Sequence, residues 1–439
     1  MPMILTPTLW FEIGAAALLC IAILWTRVEY TLFLYAFALG FPDFALPLDA
    51  AVNLRVDDVL LAVLMARMIL WRTAPASRSE KSMFLWQSIF LGVCTLSLAL
   101  EMAQGSPPLA YDAARMAGCA AIFLVLPRVA QSQARLRFFA AGLMCAGLAL
   151  AIQVHVHLGG GPPAANFQQL KSAATFDTWN PNTIGQAATL LVFGAGLGWV
   201  TSSASAGAGI MWSALAAGFA FLPAAVFVRG STVSIVAGCL LFLILLRRWK
   251  SLLLFAAVCF LALVVLQRTD GSFLQSATTV NLTTGEGLSD RFSRWGMALQ
   301  AIREKPLAGH GFGQELCYLT QIGSGGVAHD DYLTVWLELG LGGLLLFIAV
   351  IFQFVRTGWR LYASRRFQRH GALILAIVAA LVLDSFVVPT LYWEKLPTIT
   401  LAMAAALAGL CEAEDLELSV SDVRAAARVQ AEQFSSVRA

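Results

Sequence analysis

The sequence predicts an all-α, polytopic membrane protein with about 12–13 transmembrane helices and one long external loop that carries an interfacial helix. Of its 439 residues, 59% are hydrophobic and only 13% are charged, whereas soluble domains carry roughly a quarter charged residues. Apolar runs long enough to cross a bilayer recur along nearly the whole chain. The short alternating segments typical of membrane β-barrels are absent from the sequence.

The apolar runs divide the chain into two groups of spans, a loop and a tail. Residues 1–267 hold ten predicted spans, 268–330 the external loop, 331–412 the remaining spans and 413–439 a short amphipathic or solvated tail. The spans lie near 8–26, 29–45, 56–72, 83–102, 109–127, 136–157, 182–201, 207–228, 231–247, 251–267, 331–355, 371–391 and 396–412. The stretch "FPDFALPLDAAVNLRVDD" suits a kinked or re-entrant segment, and the N-terminus lacks the basic region of a signal peptide.

The distribution of Lys and Arg predicts the orientation. Basic residues gather in loops that all fall on one side of the span pattern, and such loops are usually cytoplasmic. They are Arg72, Arg78, Lys81, Arg128, Arg135, Arg137, Arg247, Arg248, Lys250, Arg356, Arg360, Arg365, Arg366 and Arg369. The tail 413–439 falls on this side, and the loop 268–330 falls on the opposite, external side.

Two charged residues stand out near the external side. Arg229, in "VRGSTVS", has no acid nearby in the sequence, and an unpaired cation at the end of an apolar helix is costly. We expect its partner to be an anion from elsewhere, either a protein carboxylate or a bound phosphate. Asp384 lies in the external half of its span, so it is either a functional acid or the partner of Arg229.

The external loop contains a predicted interfacial helix in "LSDRFSRWGMALQAIREKP". Ser289 suits its N-cap, and Pro306 follows its end. An apolar stripe at helical spacing is suited to the membrane interface and consists of Phe292, Trp295, Leu299 and Ile302. Arg291 and Arg294 are three residues apart and project to similar sides. The glycine-rich "GHGFG" that follows predicts a flexible turn, and its glycines permit close backbone approach and sharp turns.

Four segments in the right order resemble the O-antigen ligase and polymerase superfamily. They are "WNPNTIGQAATLLV" (179–192), "VRGSTVS", the string from Arg291 through Trp295 to "ALQAIREKPLAGHGFG", and a histidine followed by Tyr-Leu and a glycine-containing helix. The resemblance covers roughly residues 175–345 by motif and the whole chain by span pattern. The chain departs from the family at His329-Asp330, where the family often has His-Asn.

The resemblance implies transfer of a glycan from an undecaprenyl-diphosphate-linked oligosaccharide to an acceptor glycan at the periplasmic face of the bacterial inner membrane. His329 matches the family histidine, and Arg229 and Arg291 match the family arginines. A histidine is suited to accept the proton of the acceptor hydroxyl, and arginines are suited to bind the diphosphate. The acceptor is either lipid-linked, as for a polymerase, or a lipid A-core, as for a ligase. The departure from His-Asn favours the polymerase.

Several roles remain open at this point. Asp330 either raises the proton affinity of His329 or binds an acceptor hydroxyl; Asp331 and Tyr332 are secondary candidates, as are Arg294 and Asp384. His329 itself is either the general base or a cap of the next helix. Glu338, two turns further on, suits a structural hydrogen bond.

Partners and cofactors follow from the same resemblance. We expect contacts with membrane lipids and with a chain-length regulator, and none with nucleic acid. No Asp-x-Asp motif stands in an external loop, so we expect neither a metal nor another cofactor, with the arginines replacing a divalent cation. A lipid-linked glycan transporter is the competing class, but such proteins carry internal repeats and broken helices, neither of which the sequence predicts.

Overall fold

The computed structural model describes most of the chain. The described residues are 22–40, 45–49, 52–70, 78–103, 110–157, 181–202, 206–220, 222–225, 228–253, 255–257, 260, 264, 288–321, 328–386 and 395–436. Most of the predicted span 8–26, most of the predicted span 251–267 and the first part of the external loop lie outside them.

The described elements are helices, with one two-stranded exception. In chain order they are α1 Val28–Ala38, β1 Ala45–Asp49, β2 Val52–Arg55, α2 Val56–Leu70, α3 Arg78–Ala103, α4 Ala110–Val129, α5 Gln133–His157, α6 Pro181–Thr201, α7 Ala206–Ala220, α8 Leu222–Ala225, α9 Arg229–Leu245, α10 Leu288–Glu304, α11 Glu315–Gln321, α12 Asp331–Ala363, α13 Gln368–Ser385 and α14 Lys395–Ser436.

The all-α polytopic class is confirmed. Within the described residues, six helices are long and apolar enough to cross a membrane: Lys81–Glu101, Gln133–Val154, Asn182–Thr201, Asp331–Ala363, Gln368–Ser385 and Lys395–Leu416. Shorter apolar helices cover Val28–Ala38, Met116–Val129, Ile210–Ala220 and Gly230–Leu245. Each of these helices falls on a predicted span, while the full count of 12–13 stays a prediction.

The predicted span 29–45 is wrong in its second half. Helix α1 ends at Ala38, and β1 and β2 form an antiparallel hairpin in which Pro47 lies opposite Asn53. Proline interrupts a helix because it lacks an N–H and its ring clashes with the preceding turn. The register is irregular between Pro47 and Asp49. Where the sequence predicts a kinked or re-entrant segment, the structure has a β-hairpin.

The helix ends form two groups, as the charge pattern predicts. At the end that carries the external loop, the Lys395 side chain pairs with Asp57 and Asp58 and so joins the start of α14 to the start of α2. The basic loops meet at the other end, where Gln133 Nε2 donates to Glu414 (2.8 Å) and Arg360 pairs with Glu412. We call these the loop end and the basic end.

Helix α12 is broken at Gly340, nine residues in from Asp331, contrary to the expectation of unbroken spans. Gly340 has φ 68° and ψ −172°, a conformation that non-glycine residues rarely adopt. The segment 306–311 fills the break through backbone hydrogen bonds. His310 N donates to Leu337 O (2.8 Å), Gly311 N donates to Glu338 O (2.9 Å), and Leu341 N donates to Pro306 O (2.9 Å). The polar backbone at membrane depth is thus satisfied by protein.

The glycines of "GHGFG" make this insertion possible. Gly309 and Gly311 have positive φ values of 74° and 103°. A Cβ atom at Gly309 would collide with the carbonyl of Glu338, and one at Gly340 would collide with the carbonyl of Leu307. Close backbone approach, which the sequence did suggest, is what these glycines provide.

Candidate active site

The interfacial helix α10 holds the segment that leads to His329. Trp295 Nε1 donates to Ala328 O (3.1 Å), and Ile302 is buried with Leu337 and Ala328 in a small apolar cluster. Phe292 and Leu299 are instead 60% and 41% exposed. The predicted stripe is therefore divided, since Trp295 and Ile302 pack on the protein while Phe292 and Leu299 are exposed. Their contact with the membrane interface stays a prediction.

A second side chain holds the backbone of the same residue, Ala328, through its N–H. Glu315 Oε1 accepts a hydrogen bond from Ala328 N at 2.7 Å. Glu315 N in turn donates to Glu338 Oε1 (3.2 Å), so the structural role expected of Glu338 is confirmed. Burial raises the pKa of the Glu315 carboxyl, although the hydrogen bond from Ala328 N acts in the opposite direction. The backbone of Ala328 is thus fixed through both its N–H and its carbonyl, that is, through two successive peptide groups.

Sequence reasoning missed Glu315 as a site residue. The only signal was an acid within the apolar context "GFGQELCYL" of the external loop. Its partner is a backbone amide 13 residues further along the chain, and no spacing rule connects the two. Such a contact can be recognised only in the folded structure, where Glu315 packs against the start of α12.

The backbone of His329 adopts a left-handed conformation. Its φ is 56°, and the side chain is half-buried. This region is uncommon for residues other than glycine, although His, Asn and Asp are enriched in it. Such conformations persist where surrounding contacts hold them, and they cluster at functional sites. Here the fixed Ala328 peptide precedes His329 and a capped helix follows it.

Asp330, not His329, is the N-cap of α12. Asp330 Oδ1 accepts from Leu333 N (2.9 Å), and the Thr334 hydroxyl donates to the Asp330 carbonyl (2.9 Å). The alternative role of His329 as a helix cap is therefore wrong. Burial raises the pKa of the Asp330 carboxyl, while hydrogen bonds from the Leu333 and Tyr332 amides oppose that rise. Asp331, the first residue of α12, is wholly buried.

Three further helix ends converge beside the start of α12. The Tyr332 hydroxyl donates to Val382 O (3.4 Å) near the end of α13. Ser231 Oγ donates to Asp384 Oδ1 (3.0 Å), which joins the start of α9 to the same end of α13. Gly185, near the start of α6, packs closely on Ser231. The Asn-Pro-Asn, Arg-Gly-Ser and histidine motifs therefore begin neighbouring helices at the loop end.

The predicted arginines lie on two of these elements. Arg291 and Arg294 are half-buried on α10. Arg291 lies four residues before Trp295 and so on the same face of the helix, and this face contacts Ala328. Arg229 is the first residue of α9, two residues before Ser231. The side chain of Arg229 lies outside the described part of the structure, so its pairing with Asp384 stays a prediction.

A part of the chain that includes this site matches a known protein family. In structural terms the chain is a polytopic helical membrane protein in which the described loop residues 288–321 pack beside a histidine at a helix start. Residues 213–348 match the family model described as O-antigen ligase. This match confirms the predicted resemblance to the O-antigen ligase and polymerase superfamily over residues 213–348. Among the curated proteins, none matches this chain.

Proposed function

We propose that the chain transfers a glycan from an undecaprenyl-diphosphate-linked donor to the hydroxyl of an acceptor sugar at the periplasmic face of the inner membrane. The observation that carries this proposal is the geometry at His329. The residue has a left-handed backbone, a fixed peptide before it and a capped helix after it, beside three converging helix ends. A base must be positioned in this way if it is to meet an acceptor hydroxyl.

The reaction is a displacement at the anomeric carbon. The acceptor oxygen forms a bond to that carbon while the bond from the carbon to the diphosphate oxygen breaks. The proton of the acceptor hydroxyl passes to the imidazole of His329, and the leaving diphosphate takes the electron pair. An unperturbed imidazole pKa of about 6.5 suits this general-base role near neutral pH.

Arg229 and Arg291 stabilise the leaving group in this proposal. Each guanidinium presents a planar set of donors that matches phosphate oxygens, and each stays charged throughout. Charge that grows on the diphosphate is met by donors already in place, which is a large source of rate enhancement in group transfer. The arginines take the role that a divalent cation plays in other diphosphate chemistry, so we expect transfer to be metal-independent.

The choice of acceptor separates a polymerase from a ligase. The polymerase prediction depended on Asp330 in place of the family asparagine. Asp330 caps α12, and Asn and Asp are about equally good N-caps. The departure therefore has a structural explanation and no longer favours a polymerase. The polymerase and the ligase are therefore equally consistent with the site, and the ligase is the activity named in the description of the matching family.

A transporter is less favoured than either enzyme. The broken helix that would suggest one is present in α12, but segment 306–311 occupies the carbonyl groups of Leu337 and Glu338 with backbone hydrogen bonds. Transporters use such unwound carbonyls to coordinate ions. The family match also supports transfer.

A reconstituted transfer assay tests the proposal. Purified protein receives an undecaprenyl-diphosphate oligosaccharide together with either a second lipid-linked oligosaccharide or a lipid A-core acceptor. We expect product with one acceptor, and we expect its rate to persist in excess chelator. Donor that stays unconsumed with both acceptors would overturn the proposed function, and complete loss of rate that magnesium restores would overturn the metal-independent chemistry.

A further inference from the structure

A cavity of about 300 Å³ lies between α3, α4 and α14, far from His329. Lys81 and Arg128 line it together with the Ser88 hydroxyl, and its walls include the apolar side chains of Phe84 and Leu124. Its volume is at the lower end of the range for small-molecule sites, roughly 300–1,000 Å³. It is large enough for a headgroup and too small for an oligosaccharide.

The cavity belongs to the basic end of the bundle. Lys81 lies 16 residues before Ser97 on α3, and Ser97 Oγ accepts from Phe312 N (3.0 Å) at the loop end. At 1.5 Å per residue, Lys81 is about 24 Å from that contact. Arg128 lies just before Gln133, which bonds with Glu414 at the basic end. The cavity is therefore separate from the proposed donor site.

The side chains that line the cavity suit a ligand with a negative charge and an apolar part. Lys81, Arg128 and Ser88 supply hydrogen-bond donors, and no carboxylate is among the lining residues in the described part of the chain. The Arg128 guanidinium lies over the Phe84 ring at 5.6 Å from its centroid, which orients it across the cavity. Within the described residues, neither cation forms a salt bridge.

The opening of the cavity faces the surroundings of the bundle. Leu85, another lining residue, is 56% exposed on α3, and Ile89 one turn further along is 42% exposed. In a membrane protein such side chains meet acyl chains. A ligand that enters here must therefore combine a compact negative charge with an apolar tail.

We propose that this cavity binds the phosphate headgroup of an anionic glycerophospholipid from the leaflet at the basic end. Lys81 and Arg128 hold the phosphate, and the acyl chains run along Leu85 and the apolar walls. Basic pockets between helices on the cytoplasmic side are suited to such headgroups, and each cation near a membrane surface contributes about fivefold in affinity. We therefore expect removal of both cations to weaken binding of the lipid by about 30-fold.

Lipid-dependent thermal stability tests this proposal on the full chain in detergent. The measurement is the rise in Tm on addition of phosphatidylglycerol, compared with phosphatidylcholine and with soluble glycerol phosphate. The test variant is Lys81→Ala with Arg128→Ala. The matched control is Arg356→Ala with Arg365→Ala, which removes two exposed cations from the same end outside the cavity.

We expect phosphatidylglycerol alone to stabilise the wild type, and we expect the test variant to lose most of that rise while the control keeps it. Equal losses in the two variants would show a general surface effect and would overturn the proposal, as would a wild type that phosphatidylglycerol leaves unchanged. Equal stabilisation by glycerol phosphate would overturn the assignment to a lipid. Lys81→Ala alone, at an exposed position, gives the same test with a smaller expected loss if the double variant does not fold.

Discussion

At the scale of single residues, the backbone of Ala328, directly before His329, links the sequence to the proposed chemistry. Glu315 accepts from the Ala328 amide and Trp295 donates to its carbonyl. His329 follows with φ 56°. Neither Glu315 nor Trp295 needs to touch a substrate to matter, because both determine where the imidazole is held. We regard them as positioning residues.

Substitution of Glu315 separates positioning from chemistry. Glu315→Ala leaves the buried Ala328 amide without its acceptor, and a displacement of about 1 Å in a reacting group can lower a rate about 100-fold. We expect Glu315→Ala to lower kcat by at least tenfold with little change in donor KM. Glu315→Gln keeps an acceptor oxygen and should retain most of the rate. If Glu315→Gln lowers kcat as much as Glu315→Ala does, Glu315 acts through its charge and the positioning role is wrong.

Substitution of Arg291 tests the proposed diphosphate contact. We expect Arg291→Ala to weaken donor binding as well as turnover, because the arginine meets charge that is already present before the reaction. Arg291→Lys should restore only part of the affinity, since a point charge replaces a bidentate group. The matched control is Arg303→Ala, at an exposed position on the same helix. The measurement is the donor affinity of each variant. Equal losses of affinity in Arg291→Ala and Arg303→Ala would contradict the assignment.

At the scale of elements, the broken helix α12 joins the external loop to the bundle. Segment 306–311 bonds to the helix on both sides of Gly340. The His310 ring nitrogen Nε2 lies 2.8 Å from Ala301 O, so the same segment is also tied to α10. Residues 306–311 of the loop therefore tie α10 to α12 beside His329.

Gly340→Ala tests this element directly. Alanine is strained at φ 68° and ψ −172°, by about 1–3 kcal/mol, and its Cβ would also collide with the Leu307 carbonyl. We expect a clear fall in Tm, by detergent-phase thermal unfolding, with a loss of at least about 3 kcal/mol. Gly342→Ala is the control, because its Cβ would meet nothing within 4 Å. Similar Tm values for the two variants would contradict the described break.

The sequence predicted these elements unevenly. Span positions followed from apolar length, which depends on local composition, and α10 followed from its stripe and Pro306. Helix α10 begins at Leu288, so the predicted cap Ser289 lies inside it. The break at Gly340 did not follow, because "LELGLGG" reads as a continuous apolar helix. Only the docking of segment 306–311, a contact between separate parts of the chain, makes the break favourable. Glu315 was missed for the same reason, whereas His329 was found through family resemblance.

At the scale of the whole molecule, the basic loops and the candidate site residues lie at opposite ends of the helix bundle. The helix ends with basic loops meet around Glu412 and Glu414, whereas His329, Asp384 and Lys395 lie at the loop end. A membrane enzyme that uses a lipid-linked donor from one leaflet needs its reactive groups gathered at one face. The arrangement predicts that the loop end is periplasmic.

Reporter cysteines test the orientation. Lys305→Cys at the loop end and Arg365→Cys at the basic end replace exposed side chains. A membrane-impermeant thiol reagent should label position 305 in intact spheroplasts and position 365 only after the membrane is opened. The parent protein gives the background from native cysteines. Labelling of position 365 from outside would reverse the orientation and the proposed face of catalysis.

The central claim is that His329 takes the proton of the acceptor hydroxyl, and His329→Asn tests it most directly. Asparagine tolerates the left-handed backbone, and Asp330 remains the cap of α12, so the substitution removes the base while keeping the local structure. The measurement is the transfer rate at saturating donor, together with donor affinity. The account predicts a rate lower by about 10²–10⁴-fold with donor affinity nearly unchanged. A His329→Asn protein that transfers glycan at a rate close to that of the wild type would contradict it.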